Sequence, residues 1–275
     1  MIVIITLILL LLIGLKMALN KIEDSVLFQP QRNIELLNNQ KSPMYASKSH
    51  VITTIDGQKI DSKIYFNDTS DKYIIYSHGN IGDLDIIETI IDHYLQFGNV
   101  ITYDYRGYGN SNGSPSENGI YLDLSAVVDY YTNLYNIDPS NLVLWGYSLG
   151  CVPTSRYGAE NYNKEHKIIL QSGFYNFAKI VKDHVSFLPT FLLKNDMNNA
   201  NNIKTIINKD QINNSTSCNN LLIIHSKFDE LISYSHAEQI KSENPCVTLI
   251  TTYSNHADIK LTPIDVNKVK KFIGE

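Results

Sequence analysis

Six short apolar runs, at residues 73–77, 100–105, 142–147, 167–171, 221–225 and 247–252, narrow the fold more than any other feature. They are rich in Ile, Val and Tyr on consecutive positions, the pattern of strands buried on both faces. Segments of helical pattern separate them, at residues 83–97, 117–135, 149–161, 233–243 and 263–273. Pro263 stands where a first-turn proline belongs. Such alternation predicts an α/β domain, a mostly parallel central sheet with helices on both faces. Ahead of it, residues 50–55 and 59–66 flank Asp56-Gly57, a pair suited to the positive φ of a tight hairpin turn. Residues 174–220 break the rhythm with an apolar cluster at 187–193 and an Asn-rich stretch, which predicts a small cap-like insertion.

The chain has 275 residues, 43% hydrophobic and 19% charged, enough material for a single core. A net charge of -5 and the lack of a Lys/Arg run argue against a nucleic-acid partner. The three cysteines, Cys151, Cys218 and Cys246, lack C-x-x-C spacing and suggest neither a zinc site nor a disulfide framework. A reducing compartment is the simpler reading, with one disulfide left open. No cofactor or metal is implied, and nothing in the sequence speaks to oligomeric state.

The first 19 residues form the main compositional break. Residues 2–15 are apolar apart from Thr6 and Gly14, Lys16 interrupts, and Met17-Ala18-Leu19 follow. The run is short for a bilayer span, but no basic region precedes it and no A-x-A cleavage site follows. It therefore reads as an uncleaved single-pass anchor with Lys16 snorkelling, ahead of a cleaved signal or a buried helix. Residues 20–47 read as a connector with a short helix, and 48–275 as the α/β domain. Lys16 and Lys21 favour a cytosolic domain. The N-x-[ST] sequons at Asn67, Asn112, Asn213 and Asn214 are expected by chance in so Asn-rich a chain.

At the end of the third run the sequence reads Gly146-Tyr147-Ser148-Leu149-Gly150. In a sheet of this kind ligands sit at the carboxyl ends of the strands. A sharp strand-to-helix turn strains its central residue and needs small neighbours two positions away, which explains the glycines and exposes the serine Oγ. Ser148 is therefore read as a nucleophile rather than a turn residue. A serine needs a histidine to take its proton. The chain order for this arrangement is serine, acid, base, with the last two on loops after late strands. His256 follows the last run, and Asp229 follows the one before it, with Glu230 as fallback. His225 still lies within its strand and reads as structural. His78-Gly79-Asn80 ends the first run, where the Asn80 N–H joins that of Leu149 as an oxyanion hole, and His78 holds the loop. In Asp104-Tyr105-Arg106-Gly107-Tyr108-Gly109 the glycines mark a tight turn, with Asp104 and Arg106 expected to pair.

Taken together, His78-Gly79-Asn80, the run "DYRGYGNSNGSPSENGIYLDL", "LVLWGYSLGCVPT", "LLIIHSKFDELISYSHA" and "NHADI" resemble the α/β-hydrolase fold serine hydrolases. They are most similar to the branch named hydrolase-domain-containing protein seventeen, membrane-associated protein depalmitoylases. The resemblance covers residues 74 to the end and implies Ser148, Asp229 and His256 as the triad. Three features depart from it. There is no cysteine before Cys151, where the family carries a palmitoylated N-terminal segment. Ser226 replaces the family's usual Gly, and Tyr147 its more frequent Gln. The reading is a membrane-anchored serine esterase or thioesterase acting on an acylated protein or lipid. A lipid esterase or peptidase of the same fold, or a catalytically silent scaffold, are the alternatives.

Overall fold

Eight strands form one sheet in the order β1-β2-β4-β3-β5-β6-β7-β8. They are β1 Ser47–Thr53, β2 Lys59–Tyr65, β3 Tyr73–Ser77, β4 Asn99–Tyr103, β5 Leu142–Tyr147, β6 Lys167–Gln171, β7 Leu221–Ser226 and β8 Thr248–Thr252. The computed structural model describes residues 2–30, 45–212, 218–258 and 260–275, with backbone alone for 2–13 and 15. Residues 31–44 of the connector and the sequons at Asn213 and Asn214 lie outside the described residues.

The expected hairpin is β1 paired antiparallel with β2, and β2 joins β4 antiparallel. All pairings from β4 through β8 are parallel. Successive side chains of a strand face opposite sides. Ile75, Leu144, Leu170 and Ile223 enter one core, and Ile74, Val143, Ile169 and Leu222 the other. Both faces are covered, so the central strands carry apolar residues at consecutive positions. On the first face lie α4 Glu117–Tyr135, α5 Cys151–Glu160, α7 Asn199–Ile212 and α8 Ser235–Glu243. On the second lie α2 Leu84–Glu88, α3 Asp92–Leu95 and α9 Pro263–Ile273. The other helices are α1 Ile2–Leu27 and α6 Phe177–His184.

The structure corrects or sharpens four expectations. The helix foreseen over 83–97 is split into α2 and α3. The β-branched run Thr89-Ile90-Ile91 sits at the break, where side-chain crowding disfavours continuous helix. The insertion at 174–220 is only partly a cap. Ile203 and Ile206 of α7 are buried in the main core, so the cap is confined to α6 and the stretch up to α7. Cys218 and Cys246 form a disulfide, leaving Cys151 as the free, buried cysteine. Neighbouring parallel strands bring their leading segments together, a proximity invisible in a spacing of 28 residues. Finally, the short helix expected in the connector is continuous with the N-terminal segment, as one helix, α1, running to Leu27. Among the described residues no helix is long and apolar enough to cross a membrane.

Candidate active site

Ser148 follows β5 directly and opens a 3-10 turn, Ser148–Gly150, that leads into α5. Its φ is +52°, left-handed backbone that a side chain adopts only under constraint. The constraint is steric. A Cβ on Gly146 would run into the Gly150 carbonyl oxygen, and one on Gly150 into the Ser77 carbonyl oxygen of β3. The glycines are thus required by close approach, and the strained turn presents the serine.

The loops after β7 and β8 bring Asp229 and His256 to it. His256 Nε2 lies 3.0 Å from Ser148 Oγ, and His256 Nδ1 lies 2.7 Å from Asp229 Oδ2. An ionised carboxylate only accepts hydrogen bonds, so Nδ1 donates and the Nε2 lone pair faces the serine hydroxyl. The other oxygen, Asp229 Oδ1, accepts the N–H groups of Leu231 at 3.0 Å and Ile232 at 2.7 Å. Burial acts to raise the Asp229 carboxyl. The His256 hydrogen bond and charge, with the Ile232 N–H, outweigh it and hold the carboxyl below its usual range. His225, structural in expectation, donates from Nε2 to the Ile232 carbonyl at 2.8 Å and so braces the same turn.

Glu230, the alternative acid, has a different place. Its Oε2 accepts the His256 backbone N–H at 2.9 Å, while the Tyr147 hydroxyl donates to the His256 carbonyl at 2.6 Å. Both backbone groups of the candidate base are therefore held. The Ser226 hydroxyl donates to the Ser254 carbonyl and accepts the N–H groups of Ser254 at 2.8 Å and Phe228 at 3.1 Å. It ties the loop carrying Asp229 to the loop carrying His256. Sequence reasoning missed these positioning contacts, because Tyr147 and His256 are 109 residues apart and meet only across the sheet. Removing one neutral hydrogen bond costs about 1 kcal/mol. Tyr147→Phe is accordingly expected to lower kcat about fivefold at unchanged KM. A wild-type kcat, measured on a soluble ester, would mean that the His256 loop holds its own shape.

Asn80 and Leu149 line the same cavity as Ser148 and His256. The His78 ring donates from Nδ1 to the Gly79 carbonyl at 2.8 Å. In a trans peptide the next N–H points opposite that carbonyl, so His78 sets the direction of the Asn80 N–H. The Tyr105 hydroxyl donates to the His78 carbonyl at 2.7 Å and that of Tyr108 to the Asn80 carbonyl at 3.0 Å. Burial depresses His78 to about 4, so it stays neutral as a loop-holding group.

Asp104 and Arg106 do not pair. Arg106 bonds Asp123 of α4 through Nε at 2.9 Å, and Asp56 of the hairpin turn at 2.8 and 3.1 Å. Asp104 instead accepts the Leu84 N–H at 2.8 Å, and burial together with nearby Asp83 raises its carboxyl to about 8. The side chains of Asp104 and Arg106 leave the turn in different directions, which their spacing of two did not reveal. Cys151 is packing, as expected. Its thiol donates to the Gly146 and Gln171 carbonyls, and burial pushes it up, far from a reactive thiolate.

Above Ser148 lies a cavity of about 570 Å³ with mostly apolar walls. Phe174, Ile180 and Val181 contribute, as do Leu188, Leu192 and Leu193 from the apolar cluster at 187–193. Phe187 and Phe191 of that cluster are exposed instead.

The sequence matches the family model described as alpha/beta hydrolase fold over residues 72–203. Alpha/beta hydrolase domain-containing protein 17B of Xenopus laevis is 28% identical over 214 residues, covering 75% of this chain and 68% of that protein. The 17C protein of Homo sapiens is 30% identical over 212 residues, covering 73% of this chain and 57% of its own length. The chain thus spans between somewhat over half and two thirds of these relatives. Among solved structures, an esterase of Pyrococcus furiosus superposes with a TM-score of 0.65 at 22% identity, covering 89% of this chain and 96% of the esterase. Est1E of Butyrivibrio proteoclasticus, solved with ferulic acid bound, gives 0.58 at 16% identity, covering 82% and 97%.

Proposed function

This chain is an alpha/beta hydrolase of the serine type, and from that premise we propose that it cleaves acyl esters or thioesters at a membrane, with Ser148, His256 and Asp229 as its catalytic triad. The observation that carries the reading is the pair of contacts from His256, 3.0 Å to Ser148 Oγ and 2.7 Å to Asp229 Oδ2, at the floor of an apolar cavity.

The reaction follows from that geometry. His256 Nε2 removes the Ser148 proton as Oγ attacks the acyl carbonyl carbon. The oxygen that gains charge is held by the N–H groups of Asn80 and Leu149. Collapse of the tetrahedral intermediate expels the alcohol or thiol, which takes the proton back from His256. Water, deprotonated by the same nitrogen, then attacks the acyl-enzyme and releases the carboxylic acid. Asp229 stays ionised throughout and stabilises the imidazolium.

An apolar cavity beside the nucleophile supports a fatty-acyl group as the part recognised, since each buried methylene contributes about 0.8 kcal/mol. Likeness to the 17B and 17C proteins and the N-terminal apolar sequence support an acylated protein as substrate and anchoring through residues 1–19. A lipid ester is the nearest alternative, favoured by the exposed Phe187 and Phe191 beside the cavity. The test is turnover by the purified full-length chain of an S-palmitoyl peptide, a palmitoyl lysophospholipid and an unacylated peptide. Cleavage of the thioester is expected, and amide cleavage alone would overturn the proposal.

A further inference from the structure

The N-terminal helix is built into the hydrolytic domain far more firmly than an anchor requires. The Glu23 carboxylate is buried in the face that α1 turns toward the cap, at 9% exposure. It accepts the Lys194 N–H at 2.9 Å, the Asn195 N–H at 2.7 Å and the Asn195 side-chain amide at 2.7 Å. Asp24 pairs with the Lys194 ammonium at 2.8 Å, and the Lys16 ammonium donates to the Leu192 carbonyl. Leu27 and Phe28 are buried in the main core. Directly after the helix, the Gln29 N–H meets the Asn80 carbonyl at 3.3 Å and the Tyr108 hydroxyl at 3.1 Å. The end of α1 therefore touches the loop that carries a candidate oxyanion donor.

With both ends of this segment fixed, one stripe of the helix faces the cavity. Leu19, Ile22 and Val26 recur at intervals of three and four, so they share a face, and all three line the space above Ser148. Ile22 and Val26 are each 60% exposed, so these side chains meet the open cavity rather than protein. Ile180 and Val181 of α6 line the same cavity. From Leu27, two residues before Gln29 and the oxyanion loop, back to Leu19, the helix covers about 12 Å at 1.5 Å per residue. An acyl chain bound with its carbonyl at Ser148 has this stripe as a track leading toward the N-terminal apolar segment.

We propose that the last turns of α1 are one wall of the acyl-binding site, and that Leu19, Ile22 and Val26 set which chain lengths are accepted. The inference rests on the acyl-hydrolase reading above. It makes the membrane-directed helix a specificity element, so that the fatty-acyl tail lies along the helix that would hold the enzyme at its membrane.

The test uses the full-length chain in detergent micelles, with p-nitrophenyl palmitate and p-nitrophenyl butyrate as probes. Val26→Trp and Ile22→Trp would each fill part of the track. The palmitate-to-butyrate ratio of kcat/KM is expected to fall about fourfold for every methylene excluded. An unchanged ratio in both variants, with Ser148 still labelled by a fluorophosphonate, overturns the proposal. The label separates a misfolded variant from a properly folded one. A wild-type protein that turns over neither ester would bring down the acyl-hydrolase reading first and this one with it. The preference of the wild type between an S-palmitoyl peptide and a palmitoyl lysophospholipid tells whether protein or lipid supplies the chain. The ratio is expected to shift with whichever is cleaved.

Discussion

Ser148→Ala is expected to lower kcat for an acyl ester by about 10⁴-fold or more and to abolish fluorophosphonate labelling. The size follows from what is left behind. His256 would have no hydroxyl to deprotonate, and among the described residues no second hydroxyl or thiol lines the cavity. The Cys151 thiol is buried, engaged with two carbonyls and pushed well above a reactive range. The candidate oxyanion donors and the cavity would remain, so a small residual rate over solution is expected. Alanine keeps the Cβ of the turn, and the strained φ of +52° is neither relieved nor worsened. A thermal melt close to wild type should therefore accompany the loss, which assigns it to chemistry. Equal labelling of wild type and variant would place the nucleophile elsewhere.

Asp229→Asn is expected to cost about 10⁴-fold in kcat while leaving the fold intact. The two oxygens of Asp229 have different partners, and those partners dictate how an amide would sit. Oδ1 accepts two backbone N–H groups, from Leu231 and Ile232. The asparagine oxygen must stay there, because its NH₂ group cannot accept. The NH₂ then faces His256 Nδ1 and donates to it. The imidazole proton is driven to Nε2, where a lone pair is needed to take the proton of Ser148. A variant that kept a tenth of wild-type kcat would show that His256 is oriented without Asp229. In that event the backbone holds from Tyr147 and Glu230 would be carrying the orientation alone.

These two effects differ from the modest loss expected for Tyr147→Phe. Ser148 and Asp229 set which atoms exchange protons. Tyr147 acts through the backbone of His256, so its removal loosens a geometry without changing the protonation pattern. The network around Ser226 belongs to the same class. Its hydroxyl links the two loops through both backbone groups of Ser254 and also accepts the Phe228 N–H within its own loop.

The sequence by itself determined the parallel sheet, the strand-helix order and the residues of the candidate site. Those features are local or periodic: continuous apolar runs, a glycine-flanked serine, and an acid and a base after successive late strands. The two helices matched end to end, α4 and α9, have capping residues written beside them, Ser116 and Thr262, and α9 also has a first-turn proline. Tertiary structure alone decided which groups hold the site. Arg106 chose Asp123 and Asp56 over the nearby Asp104, Glu230 took a backbone N–H instead of an imidazole, and Cys218 met Cys246. The most consequential case is α1. Its sequence reads as apolar anchor followed by polar connector, yet Glu23 is buried against the cap and Ile22 and Val26 face the cavity. Each of these pairings joins segments distant in the chain, and their energies depend on burial and direction that exist only once the sheet has brought the loops together.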